Sequence, residues 1–402
     1  MSPSLRSLRL PPTALLLTVV GFVAALPVAA EIPVSGVVTD AGGRALEGAE
    51  VTLLPEPGLL DQARLHLEAS EPEPVHRTKA DAAGRFELAA PRIGMWTVRV
   101  EHPGYAAVEL SLRPLLDAVE LPAAELEPAA ELVVRVRDPR GKPLPCRVAA
   151  IPEEGDADTG MRLLLRGLQE NGRWRPAAPV TRTGEDGEVR LAVGGDPRWT
   201  VEAVADGYVP GVRELPRGKA GRLKLTLRPG TTRPVQVVDP RGEPVPGVLI
   251  YAGDGALPVA ETGDRGEATL ELGNGGEARL FLLADRGRHG FRELDVPERR
   301  RSADPDAADE PPEVATLELT EVPVVTGRVV DARTRDPIGG ALAWIVGALG
   351  DPAETDGQGF YRLYGSRGLA LYVAAAPGYQ AASAMRRESS DAESGESAGP
   401  TV

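Results

Sequence analysis

Cysteine occurs once in the 402 residues, at Cys146, so no intramolecular disulfide can form and each domain must be held by its apolar core. Aromatic residues make up only 4%, and 45 Lys and Arg stand against 59 Asp and Glu, for a net charge of -14. That sign excludes nucleic acid and anionic membrane surfaces as partners, because both need a basic face to neutralise phosphates. The four histidines, His66, His76, His102 and His289, fall in no H-x-x-E or H-E-x-x-H arrangement, which removes a zinc hydrolase. No G-x-S-x-G elbow is present either. Isopeptide chemistry lacks its lysine, since no opening strand contains one, and Asn171 and Asn274 are the only asparagines.

Long apolar runs are equally scarce. One stretch, Ala14 to Leu26, follows Arg6 and Arg9 and precedes Val28-Ala29-Ala30. This is the layout of a secretory signal peptide cleaved after Ala30, with an uncleaved membrane anchor as the alternative. Residues 1–30 are therefore assigned to targeting, and the remainder is expected to be extracytoplasmic: periplasmic, surface-bound or secreted.

What is abundant is turn chemistry: 46 glycines and 38 prolines, without the period of collagen, fit many short strands joined by turns. A pattern then repeats four times. Each copy opens with an alternating strand ending in aspartate, at Asp40, Asp138, Asp239 and Asp331. Turn glycines follow at Gly43, Gly141 and Gly242, with Arg335 in that slot of the fourth copy. A small residue starts the second strand, read as Gly48, Cys146, Gly247 and Gly340. Next comes a threonine slot (Ala80, Thr183, Thr262, Thr355), a short turn reaching Gly84, Gly187, Gly266 or Gly359, and another alternating strand. Three copies then run into Gly-Tyr, at Tyr105, Tyr208 and Tyr379. VELSLRP, LKLTLRP and ATLELTE read as closing strands of the first three copies, and the fourth has none.

The G-x-V-x-D opening (Gly36 to Asp40, Gly327 to Asp331), the turn from Gly242 to Gly247, the T-D-x-x-G-x-F-x-L segment from Thr355 to Leu363 and the Gly-Tyr pairs resemble the carboxypeptidase regulatory-like domain. The resemblance implies an all-β fold, a tandem array of four transthyretin-like or Ig-like β-sandwich modules. Their expected limits are 31–120, 131–229, 230–320 and 321–387, the last without its closing strand, followed by a disordered polar tail at 388–402. Joins such as LPAAELEP read as stiff links, so an extended rod is expected. Modules of this kind serve as spacers, sugar binders or adhesion units, so the resemblance implies no catalytic residue and no cofactor.

Few residues stand out as functional. Trp174, in an insertion of the second module, is the one candidate for an exposed ligand contact. Asp156 and Asp158 form a fragment of a calcium loop that lacks its glutamate, so a solvated loop is favoured and no metal is assigned. Both long insertions, LLDQARLHLEAS and MRLLLRGLQEN, follow a second strand; in the latter Met161, Leu164, Leu165 and Leu168 share a helix face. They either cap their sandwiches or bind a protein or glycan partner. The chain thus reads as a non-catalytic scaffold or binding protein of the cell envelope or exterior. The alternatives are a carbohydrate-binding protein and an auxiliary unit of a peptidase or outer-membrane system acting in trans.

Overall fold

The alternating segments become strands, and the strands assemble four times into the same pair of sheets. The computed structural model describes residues 31–153, 172–195, 197–218, 220–253, 255–296, 313–346, 349–365, 369–387 and 397–401. The signal-like segment, the Met161–Leu168 stripe and Asp156 and Asp158 lie outside the described residues.

In the first sheet the opening strand is central. Ile32–Asp40, Ala130–Arg137, Thr231–Val238 and Val324–Arg328 each pair antiparallel with the strand after the threonine turn. In the second sheet Glu50–Pro55, Arg147–Glu153, Leu249–Ala252 and Leu342–Ile345 pair with Gly94–Glu101, Arg198–Val204, Glu277–Leu283 and Leu369–Ala375. Each of these continues to an outer strand: Val108–Leu115, Gly211–Leu215, His289–Asp295 or Ala382–Arg387. Four apolar cores lie between the four pairs of sheets. Facing residues are matched module by module. Gly36 lies under the ring of Phe86 and Gly327 under that of Tyr361, whereas modules two and three pair Val134 with Val189 and Val235 with Ala268. The opening glycine is thus present where an aromatic ring needs its space and absent where two small side chains fill it.

Closing strands differ from the sequence expectation. VELSLRP belongs to the second sheet, and module one closes through Val119–Glu120 and Ala124–Leu126, both parallel to Ile32–Asp40. The segment read as a stiff join is therefore part of the sandwich, because parallel pairing uses its backbone while Leu121, Ala124 and Leu126 are buried. Module four also closes: Ser397–Thr401 pairs parallel with Val324–Arg328. A ladder of backbone amides needs no apolar side chains, so the polar sequence SAGPT concealed a strand, and part of the expected disordered tail is ordered. The edge of Val324–Arg328 is therefore covered.

Register also corrects the place of Cys146. The backbone N–H groups of Ala80, Thr183, Thr262 and Thr355 donate to the carbonyls of Ala49, Cys146, Val248 and Ala341. Cys146 is therefore equivalent to these residues and not to Gly48, Gly247 and Gly340, which have φ of 77°, 68° and 73°. Module two is one residue shorter, with the left-handed glycine deleted, and the cysteine occupies a small buried slot of the strand proper. The threonine slot is a staple. Its hydroxyl accepts from Cys146, Val248 or Ala341 N–H at 2.9–3.0 Å and donates to Leu144, Val245 or Ile338 carbonyl at 2.7–3.2 Å. Cys146 is 6% exposed, and burial pushes its thiol up to about 11. Alkylation of the native protein should be slow and become fast on unfolding; rapid native labelling would contradict a structural role.

Contacts between modules run through the first insertion. The first insertion folds as helix α1, Leu59–Glu68, which touches all three other modules. Leu59 and Ala63 pack on Leu249, Tyr251, Phe281 and Leu283 of module three, and Arg64 pairs with Glu261 at 3.2 Å. The helix has no side-chain cap of its own at Gly58; instead the Leu59 N–H donates to the Asp351 carboxylate of module four. At the other end Arg182 of module two donates to the Glu68 carbonyl at 3.2 and 3.3 Å, where the helix dipole favours a cation. The second sheets of modules two and three read in sequence as apolar on both faces (VAAI, LFLL), the pattern of sheets covered on both sides.

Candidate functional site

The three-module junction beneath α1 gathers the most perturbed ionisable groups. On strand Arg198–Val204, Trp199, Val201 and Ala203 face the core of module two, which leaves Glu202 on the outer face. A loop of module three closes over it. The Glu202 Oε2 accepts from Ala256 N–H at 2.5 Å and from Leu257 N–H at 3.1 Å, and Ala149, Ile151 and Val204 seal against Ala256 and Leu257. Glu202 is 1% exposed and, among the described residues, its Oε1 has no hydrogen-bond partner. Burial raises its carboxyl to about 7, against the lowering effect of the two amides and of Arg147.

Arg147, on the neighbouring strand, is also buried, with Nη1 unpartnered; burial and then Arg182 lower its basicity, while Asp206, Glu202 and Tyr251 raise it. From module three comes Tyr251, whose phenol is pushed upward by burial and then by Glu202. From α1 comes His66, held down at about 4 by burial and next by Arg147, with Glu109 opposing. No sequence motif marks this set. The usable signal was the loss of alternation in CRVAAIP, which showed that the outer face of this sheet is covered.

Beside Glu202 a cleft of about 610 Å³ opens between modules two and three. A larger one, of about 820 Å³, lies between modules one and two, where Glu50, Glu71, Glu101 and Glu131 face Lys79, Arg99 and Arg190.

Sequence-selected residues fall elsewhere. Trp174 lies on Trp174–Pro176, which adds antiparallel to Val108–Leu115 of module one; its Nε1 donates to the Pro122 carbonyl at 2.7 Å and its ring packs on the core of module one. It is a half-buried clasp between modules, and Arg175 beside it is buried, donating to Ser111 Oγ at 3.0 Å. Trp96 and Trp199 are buried in equivalent core slots. Three histidines are held locally: His76 Nδ1 accepts from Ala89 N–H at 2.8 Å, His102 stacks edge-on against Tyr105, and His289 Nδ1 lies 2.8 Å from the Gly287 carbonyl. Among the described residues no three His, Cys, Asp or Glu side chains converge as a metal centre.

No curated protein matches the chain. Among solved structures, the shaft pilin SpaA from Lactobacillus rhamnosus GG is 12% identical, covering 50% of this chain and 99% of its own, with a TM-score of 0.22. The Bacillus anthracis TIE protein is 14% identical, covering 92% and 74%, with a TM-score of 0.19. A Streptococcal ancillary pilin is 12% identical, covering 72% and 98%, with a TM-score of 0.20. Scores this low define neither fold nor function. Residues 33–120 match the model of the carboxypeptidase regulatory-like domain. The first of the four sandwiches is thus similar to a carboxypeptidase regulatory-like domain over residues 33–120, and the other three repeat its strand order.

Proposed function

We propose that the chain is a non-catalytic, extracytoplasmic scaffold whose four sandwiches are locked in a fixed arrangement. The observation that supports this reading is the engagement of α1 by modules two, three and four at once, through Arg182, Leu249 with Phe281, and Asp351. A short helix without its own cap gains little stability alone, so its placement serves to join modules and not to complete one sandwich. The Ala256 and Leu257 amides that hold Glu202 Oε2 favour one relative arrangement of modules two and three, since sliding would break both bonds. The Arg-flanked apolar segment from Ala14 to Leu26 supports the extracytoplasmic location.

Scattering and calorimetry of the purified chain test the scaffold: a single cooperative transition and a compact, concentration-independent radius of gyration are expected. Independent melting of the modules, or hydrolysis of peptides or esters that one polar substitution abolishes, would overturn it. Cell fractionation that left the chain in the cytoplasm would overturn the location.

A further inference from the structure

We propose that the cleft between modules two and three binds an organic cation, an alkylammonium or guanidinium group on an aliphatic stem, with Glu202 as its buried counter-charge. Glu202, Glu214, Glu271 and Glu277 line the cleft beside Arg279, with Glu153 engaged by Thr200. Acidity alone would describe a solvated surface. Glu202 differs, because it lies on the cleft wall at 1% exposure with one oxygen held by two backbone amides and the other, Oε1, without a donor among the described residues. A buried carboxylate oxygen in this state carries an uncompensated desolvation cost that a ligand N–H would relieve.

The shape of the cleft selects the kind of cation. Among the described residues no three ligating side chains converge, so the charges are spread along the cleft and do not chelate a point ion. Val209, Pro210 and Val212 supply accessible apolar wall beside the carboxylates, which suits a methylene stem ending in a strongly solvated head. At about 610 Å³ the cleft admits such a stem whole. The net charge of -14 would also raise the local concentration of cations. Basic side chains of a peptide and free polyamines share this chemistry.

Isothermal titration of the intact chain at low salt, with spermidine in one arm and a capped trilysine peptide in the other, separates the two sources. Binding of at least one is expected, weakened about tenfold by Glu202→Gln and about threefold by the double variant Glu214→Gln/Glu277→Gln. Affinity should fall as the pH is lowered through about 7, where Glu202 takes up its proton. The double variant lies on exposed rim positions, so it decides the matter if Glu202→Gln does not fold. Absence of binding in both arms, or affinity unchanged in the rim variant and in any folded Glu202→Gln protein, would overturn the proposal. Calcium binding that depends on Glu202 while neither amine binds would overturn it in favour of a metal. The proposal goes beyond the scaffold reading, which its failure would leave standing.

Discussion

Replacing Ala63 with aspartate is expected to destabilise the protein by about 3–5 kcal/mol, the cost of an unpaired charge at a buried site. Ala63 is fully buried, and its surroundings are Leu249, Tyr251, Phe281 and Leu283, none of which offers an ionised partner. The carboxylate can escape only if α1 leaves module three. Once it leaves, the Asp351 cap and the Arg182 contact are lost with it, because both hold the same ten-residue helix from opposite ends. Ten residues without tertiary support are too few for a stable helix in water, so undocking and melting should coincide. The core of module one does not include Ala63 and should survive. The measurable outcome is a loss of helical circular dichroism, a larger radius of gyration and the splitting of one thermal transition into several. Retention of the wild-type radius with full stability would show that α1 does not hold the modules together.

The second large effect is a pH dependence hidden by cancellation. Glu202 has its carboxyl raised from 4.5 to about 7, so the folded chain binds this proton more tightly than the unfolded one. Its contribution is fully present below about pH 4.5 and is lost as the pH rises through about 7. His66 is depressed from 6.5 to about 4, so its contribution is present above about pH 6.5 and lost as the pH falls through about 4. Each is on the order of 3 kcal/mol, and between roughly pH 4.5 and 6.5 the two slopes oppose each other. Arg147 faces both groups and does not titrate in this range.

Glu202→Gln should therefore leave stability unchanged near pH 4.5 and raise it by on the order of 2 kcal/mol near pH 8, with glutamine still accepting from Ala256 and Leu257. His66→Gln should do the reverse, gaining at acid pH relative to the parent and matching it above about pH 7. Urea denaturation across the range, taken as differences from wild type, removes the titration of every other group. Differences that do not vary with pH would mean that neither group is shifted by burial.

Much of the fold was legible in sequence because the sandwich is built from local signals. Alternation placed the strands, aspartate ended each opening strand, and threonine and glycine marked each tight turn. In all four modules the terminal aspartate accepts backbone N–H groups two and three or four residues on, at 2.7–2.9 Å, a bond whose whole geometry lies within five residues. Cys146 shows where local reading slips: the glycine and the cysteine align by neighbouring prolines, and only the ladder reveals that one residue is missing between them. Trp174 shows a second limit, since an aromatic in an insertion looks free until the sheet edge that receives it is known.

The sequence by itself determined four sandwiches, their cores and their turns, because each depends on residues close in the chain or on a strict two-residue period. The tertiary structure alone decided the arrangement of the modules and the burial of Glu202, Arg147, Tyr251 and His66. Those groups lie on outward faces, where a polar residue is the normal choice, and their altered chemistry arises from contacts with modules distant in the chain. Burial on such a face depends on what packs against it, and no local pattern in the strand records that neighbour.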